Sequence, residues 1–474
     1  MGNTTHKKMK TILFINMPIR ELSPPNNCPL GPICLATFLR KRGYDVEILD
    51  LNIIRPFLDS EMLDNLLNTI VNRYDVFCLS GLLTTFKFQE YIADGIKKIN
   101  PHAKIIAGGG LATDIGEKLL NWIPSLDSIN IGPGELTIET LINSKSKIER
   151  GILPINLDDY PFDYSLISVE KYIQNPIWGS LAKNSSSTPF SMKRSLNSIT
   201  SRGCPFHCNF CSKMASSGNQ IRYRSAESLI GEMKQLIKDF SIDFIGYVDD
   251  NACANKRRLI RWNNLMKHEN FNLRWGTHAR LDDIGFDKEK AKILSDLGCI
   301  YLGFGGESAS KRILKVMNKG LKVINSEDYT YEGYTFPKIY VDALENCKKN
   351  GIHPNLTWIS NYPGETLKDL QTTVAFILFM EDEDYVEKRY NNRSMFVATA
   401  YQNTQLFNEP YVQSKLKLAF DSLRDYTYSL GDATQTIRNN GTILNYSVMS
   451  DEDFLLVREY INSNEIEKIL DMEA

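Results

Sequence analysis

Ser201-Arg202-Gly203-Cys204-Pro205-Phe206-His207-Cys208-Asn209-Phe210-Cys211-Ser212 sets three cysteines at C-x3-C-x2-C spacing in a polar loop marked by Gly and Pro. Three thiolates hold three irons of a [4Fe–4S] cube, whose usual ligand set is four Cys, so this spacing leaves one iron open to an exogenous ligand. Two other readings stand beside it: a structural zinc site and three unrelated buried thiols. Zinc needs a fourth ligand, and His207 lies inside the loop, where ring spacing makes joint ligation awkward; zinc fingers favour two separated ligand pairs. The surroundings suit a loop that bridges elements. Leu196 to Thr200 ends a strand before it, and a helical pattern (Ala226, Leu229, Ile230, Met233, Leu236, Ile237) starts at Ser225 after it.

The C-x3-C-x-aromatic-C pattern resembles the radical S-adenosylmethionine (SAM) superfamily, in which the open iron chelates the amino and carboxylate groups of SAM and passes it an electron. The resemblance implies Cys204, Cys208 and Cys211 as the metal ligands, with Phe210 as the aromatic residue beside the cluster.

Composition sets the bounds. The chain has 474 residues, long enough for about two to three domains, and its 42% apolar and 24% charged content is that of an ordinary globular protein. A net charge of −2 gives no overall basic field for a nucleic-acid or membrane partner. Nine cysteines, an odd number in a large chain, suit a reducing compartment rather than a disulfide framework. Met1 to Lys10 is polar and basic rather than a signal peptide, Val374 to Met380 is too short to span a bilayer, and His6 stands where a myristoylation signal wants Ser or Thr. The expected location is the cytoplasm.

Upstream of the cysteine loop, strand and helix patterns alternate. Thr11–Met17 is a continuous apolar run, as in a parallel strand buried on both faces. A Pro-rich loop, a helix (Ile33, Leu35, Ala36, Phe38, Leu39) ending at Gly43, and a strand at Asp45–Asp50 follow. Further helices are expected at Leu58–Asn72, Lys87–Asn100, Ile115–Trp122 and Glu135–Asn143, with strands at Val76–Ser80, Lys104–Ala107 and Ser128–Ile131. Such alternation implies a doubly wound (Rossmann-like) parallel sheet with ligands at its carboxyl ends. Those ends carry Leu30-Gly31, Ser80-Gly81-Leu82 with Thr84, Gly108-Gly109-Gly110 and Gly132-Pro133-Gly134-Glu135. Glycine there permits close approach of a ligand, or serves plain turn chemistry.

Taken together over residues 10–145, these loops resemble the cobalamin-binding domain that precedes many radical SAM domains, and the resemblance implies that the residues just named contact cobalamin. The D-x-H-x-x-G motif that gives cobalt a histidine in other cobalamin proteins is absent: the first loop reads Pro18-Ile19-Arg20-Glu21. Only His6 and His102 lie in this region, both toward the amino ends of strands, so Leu30, Leu82 and their apolar neighbours are expected on the lower face of cobalt.

Residues 146–195 read as an Asn-, Ser- and Pro-rich linker, and alternation then resumes. Strands expected at Asp243–Val248, Leu273–Thr277, Ile300–Phe304, Asn355–Ile359 and Ser394–Ala398 make a partial (β/α)6 barrel over 196–405, with a helical region at 406–474. Its strand ends carry Asp249-Asp250-Asn251, His278-Ala279-Arg280, Gly305-Gly306-Glu307-Ser308 and Asn361-Tyr362-Pro363-Gly364-Glu365-Thr366. By resemblance, Glu307 and Asp250 suit the ammonium or ribose diol of SAM and Arg280 its carboxylate, with Ser308 nearby; helix capping is the competing role for Asp249, Glu307 and Ser308. The Tyr-rich stretch Asn325–Phe336 lines a substrate pocket or forms a surface loop between barrel units. Helices at Val412–Tyr428 and Asp451–Leu470 are expected over the barrel mouth.

The resemblance as a whole implies a cobalamin-dependent radical SAM methyltransferase acting on an unactivated carbon (or phosphorus) of a small biosynthetic intermediate, with an electron donor of flavodoxin or ferredoxin type and no nucleic-acid partner. Cyclisation, ring contraction or another non-methylating rearrangement stays open within the same architecture. A corrinoid carrier without catalysis is the alternative from a different class.

Overall fold

The computed structural model describes residues 10–19, 25, 27–54, 59–173, 193–213, 220–269, 271–386, 393, 395–430 and 444–473. They fall into two compact units, residues 10–173 with 420–430, and residues 193–419 with 444–473.

In the first unit, β1 (Thr11–Asn16), β2 (Asp45–Asp50), β3 (Val76–Gly81), β4 (Lys104–Gly108), β5 (Ser128–Ile131) and β6 (Ile148–Arg150) form one sheet in the order β2-β1-β3-β4-β5-β6. Every pairing is parallel. Apolar runs make this possible. Ile12, Phe14, Val76, Cys78 and Ile106 are buried against Ala36, Leu39, Ile138, Leu141 and Ile142 of the flanking helices. The chain leaves β1 for β2 on one side and then passes to β3 on the other, so the switch point, and with it a crevice for a ligand, lies at the carboxyl ends of β1 and β3.

Several expected boundaries move. The helix after β4 runs Gly109–Ile115 and stops at Gly116, whose φ of 66° breaks it; Leu119–Trp122 adds only one turn, so the expected helix Ile115–Trp122 starts too late. Gly109-Gly110 is therefore the first turn of a helix rather than open loop. The last helix begins at Ile138, not Glu135, and the second spans Ser60–Ile70, Leu58 lying outside the described residues. The expected boundary at residue 145 falls inside the unit. β6 pairs with β5, the Tyr160 ring lies 5.0 Å from Phe38, and the Tyr172 hydroxyl donates to Asp50 at 2.5 Å. The Lys183–Pro189 part of the expected linker lies outside the described residues.

The second unit is built on β7 (Ser195–Ser198), β10 (Phe244–Tyr247), β11 (Arg274–Ala279), β12 (Cys299–Glu307), β15 (His353–Ser360) and β16 (Met395–Val397), all parallel and neighbours in that sequence order. Short strands β8 (Ser201–Gly203) and β9 (Ile221–Tyr223) pair antiparallel around the cysteine loop. β7 and β16 are edges, so the sheet is an open half-barrel, as expected. Its helix-facing side is aromatic: Tyr247 and Trp275 meet at 5.6 Å, and Trp262 stacks on Trp275 at 5.0 Å. Because side chains alternate along a strand, the opposite face receives Gly276 and His278 of β11, and a β-carbon on Gly303 of β12 would come within 2.9 Å of His278. Glycines in a strand leave room for close approach.

The Tyr-rich insertion is a β-hairpin, β13 (Asp328–Tyr331) and β14 (Tyr334–Pro337), turning at Glu332 and Gly333 with positive φ at both. Tyr329 and Tyr331 lie 5.3 and 5.2 Å from Phe379, and the fully buried Phe336 lies 4.9 Å from Phe376. The rings thus pack on the helix Leu367–Asp382, as a surface element between barrel units. The tail also departs from expectation. Val412–Tyr428 is two helices, Pro410–Ala419 and Leu423–Ser429, and the second groups with the first unit, where Tyr428 meets Phe86 edge-on at 5.5 Å and Arg424 pairs with Glu90. Residues 444–448 remain with the barrel, bonded to the loop after β15: Tyr446 N–H donates to Asn361 Oδ1 at 2.9 Å. The final helix, Asp451–Ser463, reaches β16 through Arg458, which donates to the Met395 carbonyl at 3.2 Å.

Candidate active site

The cysteine loop begins at the carboxyl end of β7, and a buried carboxylate on the neighbouring strand end fixes where. Asp249 accepts from Thr200 N–H at 2.7 Å and from Ser201 Oγ at 2.7 Å, as well as from the Thr200 hydroxyl. Arg258 closes the arrangement by donating to the Thr200 carbonyl at 2.9 Å and its hydroxyl at 2.8 Å. Asp249 is thus neither a helix cap nor open to a ligand. Its neighbour Asp250 is exposed and accepts from Gly203 N–H at 2.9 Å, one residue before Cys204. Gly203 has φ of 88°, a left-handed conformation that turns the chain into the loop.

The far side of the loop is tied to the end of the helix Lys311–Val316. Asn209 N–H donates to the Met317 carbonyl at 2.9 Å, its side chain to the Val316 carbonyl at 2.8 Å, and Asn318 returns a bond to the His207 carbonyl at 2.8 Å. Cys204 is buried, and Cys208 and Cys211 are half-buried; burial pushes the Cys211 thiol up to about 11. All three thiols are free of disulfides. Among the described residues no three His, Cys, Asp or Glu side chains gather around a single metal ion, as tetrahedral zinc requires. Three free thiolates are the donor set of a cube with one corner left open.

Around the thiols stand the expected strand-end residues. Arg280 follows β11, with its Nη1 3.7 Å from Cys208 Sγ and its guanidinium 3.8 Å above the Phe206 ring. Glu307, with φ of 64°, ends β12 and pairs at 2.8 Å with Lys319; both are buried. Lys319 lies 5.9 Å from the Phe210 ring, which meets Tyr362 edge-on at 6.5 Å. Ser308 turns inward: its Oγ lies 3.1 Å from Thr373 Oγ1 and accepts from Ser310 N–H, while Ser310 caps the next helix. Burial lowers the pKa of His278, which the Asp250 carboxylate opposes. Lys319 was not read from the sequence; the signal was a lysine before a glycine at a helix end, Asn318-Lys319-Gly320.

In the first unit, the glycines at the strand ends divide by what a β-carbon would meet. Gly31 opens on nothing within 4 Å and Gly108 on Asn130 alone, at 3.9 Å. Gly81 abuts Thr85 and Gln89, Gly109 the Gly81 backbone at 2.9 Å, Gly110 Leu82 at 3.3 Å, Gly132 the Gly151 carbonyl at 2.7 Å and Gly134 Leu35 at 3.1 Å. The latter five therefore serve internal packing. Beside the switch point, Leu82 is 46% exposed, Ser80 and Leu30 are half-buried, and Glu135 is buried. The buried Thr84 hydroxyl and the Gln89 carbonyl oxygen have no hydrogen-bond partner, which fits a crevice for an amide-rich ligand. His102 is exposed in the turn before β4, at the amino end of the sheet.

Fold and site define an enzyme class: a parallel half-barrel with a cysteine loop at its first strand end, preceded by a doubly wound ligand-binding sheet. Residues 198–377 match the Radical SAM superfamily and residues 25–142 the B12 binding domain. The chain is a radical SAM enzyme with a B12-binding domain, and the cofactors of that combination are a [4Fe–4S] cluster, SAM and cobalamin. An uncharacterized methyltransferase of Pyrococcus horikoshii is 27% identical over 427 residues, covering 85% of this chain and 83% of its own length. An anaerobic magnesium-protoporphyrin IX monomethyl ester cyclase of Rubrivivax gelatinosus is 21% identical, covering 72% of this chain and 60% of its own length. The radical SAM methyltransferase TsrM of Kitasatospora setae shares the fold, with a TM-score of 0.62 at 16% identity over 83% of this chain and 74% of TsrM. No helix among the described residues is long and apolar enough to cross a membrane.

Proposed function

We propose that the protein is a cobalamin-dependent radical SAM methyltransferase that methylates an unactivated carbon (or phosphorus) of a small biosynthetic intermediate. The observation that carries this reading is the anchored C-x3-C-x2-C loop at a half-barrel mouth in a chain that also builds a B12-binding sheet. Bound together, the cluster, SAM and cobalamin supply hydrogen abstraction by a deoxyadenosyl radical and delivery of a methyl group.

In this reading Cys204, Cys208 and Cys211 hold the cluster, and Asp249 and Asn209 keep their loop from moving. Glu307, with one carboxylate oxygen on Lys319, and the exposed Asp250 offer acceptors to the SAM ammonium or ribose diol. Gly276 of β11 and Gly303 of β12 shape the face opposite the helices by packing, beside Tyr301 and His278, and Ser308 shapes the turn behind it. Ser80, Leu82, Thr84, Gly31 and Gly108 face cobalamin, while Gly81, Gly109, Gly110, Gly132 and Gly134 set the crevice by packing. His102, the one histidine among the described residues of the first unit, stands at the other end of the sheet, so that unit would offer cobalt no histidine from there. The electron comes from a flavodoxin- or ferredoxin-type donor.

The test is product analysis. Anaerobically reconstituted protein with reductant, SAM, cobalamin and a methyl-accepting substrate yields both S-adenosylhomocysteine and 5′-deoxyadenosine. Turnover with deoxyadenosine alone and no methyl gain replaces the reading with cyclisation or rearrangement, the reaction type in the name of the Rubrivivax relative.

A further inference from the structure

Arg280 offers a cation at the barrel mouth, where a SAM carboxylate would want one, yet its nitrogens are already engaged. Nε donates to Asp282 Oδ1 at 2.8 Å, Nη2 donates to Asp282 Oδ2 at 3.3 Å and to the Lys319 carbonyl, and Nη1 stands 3.7 Å from Cys208 Sγ. The guanidinium is 3.8 Å from the Phe206 ring centroid, and both Arg280 and Asp282 are buried. The backbone makes space for this pose. Gly320 has φ of 120°, and a β-carbon there would come within 2.8 Å of Arg280 Nη2. Stack, carboxylate clamp and glycine thus hold one N–H on one cysteine sulfur.

We infer that Arg280 is a positioning residue that sets the reducibility of the cluster through the Cys208 sulfur; this rests on the cysteines being cluster ligands, as proposed above. Reduction adds one electron from an external donor, with no bond made or broken and no proton moved. An N–H donor on a ligand sulfur withdraws charge from the iron and so favours the reduced state, and hydrogen bonds to sulfur are among the factors that tune such clusters.

The experiment is a redox titration of the reconstituted cluster, without SAM, followed by electron paramagnetic resonance. Arg280→Met makes reduction about tenfold less favourable, or about 59 mV more negative for one electron. Arg280→Lys, which keeps the charge but loses the fork, shifts it less, and Gly320→Ala shifts it in the same direction with Arg280 still present. Should Arg280→Met fail to retain iron, the other two variants read the same quantity. A midpoint unchanged in all variants that hold the cluster overturns the inference, and a loss of SAM binding with that unchanged midpoint assigns Arg280 to the SAM carboxylate instead. Parent protein that holds no cluster sinks the underlying reading, a result distinct from either.

Discussion

The loop after β7 and the glycine-rich turns after β3, β4 and β5 do the same topological task, ending a buried parallel strand, but they are held in opposite ways. Polar side chains hold the cysteine loop: Asp249 takes three groups at its start, and Asn209 and Asn318 tie down its middle. Bare backbone contact holds the glycine loops, with Gly109 against Gly81, Gly132 against the Gly151 carbonyl, and Gly151 against Pro133. The first kind fails when a partner is removed. The second fails when a methyl group is added.

Removing the chemistry of the cysteine loop has the largest effect. Replacing Cys204, Cys208 and Cys211 together by Ala abolishes iron and sulfide binding after anaerobic reconstitution, measured by metal analysis. Iron retained at the parental level places the cluster elsewhere.

Next comes its anchor. Asp249→Ala strips the buried Thr200 and Ser201 donors of their acceptor and removes a carboxylate whose charge favours the buried Arg258, so urea unfolding loses about 1 to 3 kcal/mol for each stranded donor. The analogous change in the other unit is steric: Gly151→Ala drives a β-carbon onto the Pro133 carbonyl and costs about 1 to 3 kcal/mol by the same assay. Equal tolerance of both substitutions would erase the distinction.

Glu365 tests the polar mode through pH. It is fully buried beyond β15 and accepts from Asn361 N–H at 2.6 Å. Burial, aided by the Asp369 charge and opposed by the Asn361 bond, raises its pKa from 4.5 to about 8. The folded state therefore holds a proton that the unfolded chain releases above 4.5. That contribution to stability is complete below 4.5 and is lost as pH rises through about 8. The melting temperature of Glu365→Gln consequently falls less than that of the parent between pH 6 and 9; identical slopes would assign the carboxyl an ordinary pKa. At the small end, Gly31→Ala, where nothing lies within 4 Å, changes stability by no more than about 0.5 kcal/mol. Weakened cobalamin binding in that variant, read by absorbance titration, places the ligand at the opening.

The two modes also explain what the sequence disclosed. The positions of most strands were legible because buried parallel strands are nearly continuous apolar runs, and Thr11–Asn16 and Ile300–Phe304 admit little else. The cysteines announced themselves by ligand chemistry. The glycines did not separate into open and packed ones, because a glycine carries no mark of what faces its missing side chain: Gly31 and Gly109 look alike until the Gly81 peptide is brought beside one of them. Asp249 and Asp250 are adjacent in sequence and opposite in fate, one buried as an anchor and one exposed, in the loop just past the end of β10. Lys319 was silent because its partner, Glu307, lies twelve residues earlier, on the far side of the helix Lys311–Val316, and the division of the tail was silent because nothing local marks Leu423–Ser429 for the first unit.

That division has a consequence during synthesis. Arg424 and Glu90 are 334 residues apart in the chain, and at ordinary translation rates the ribosome needs roughly 17 to 67 s to travel between them. The first sheet therefore emerges, and its strands pair, long before the helix that covers Phe86 exists. For that interval the nascent unit presents the edge of an aromatic ring and an unpaired glutamate where the finished protein presents Tyr428 and Arg424.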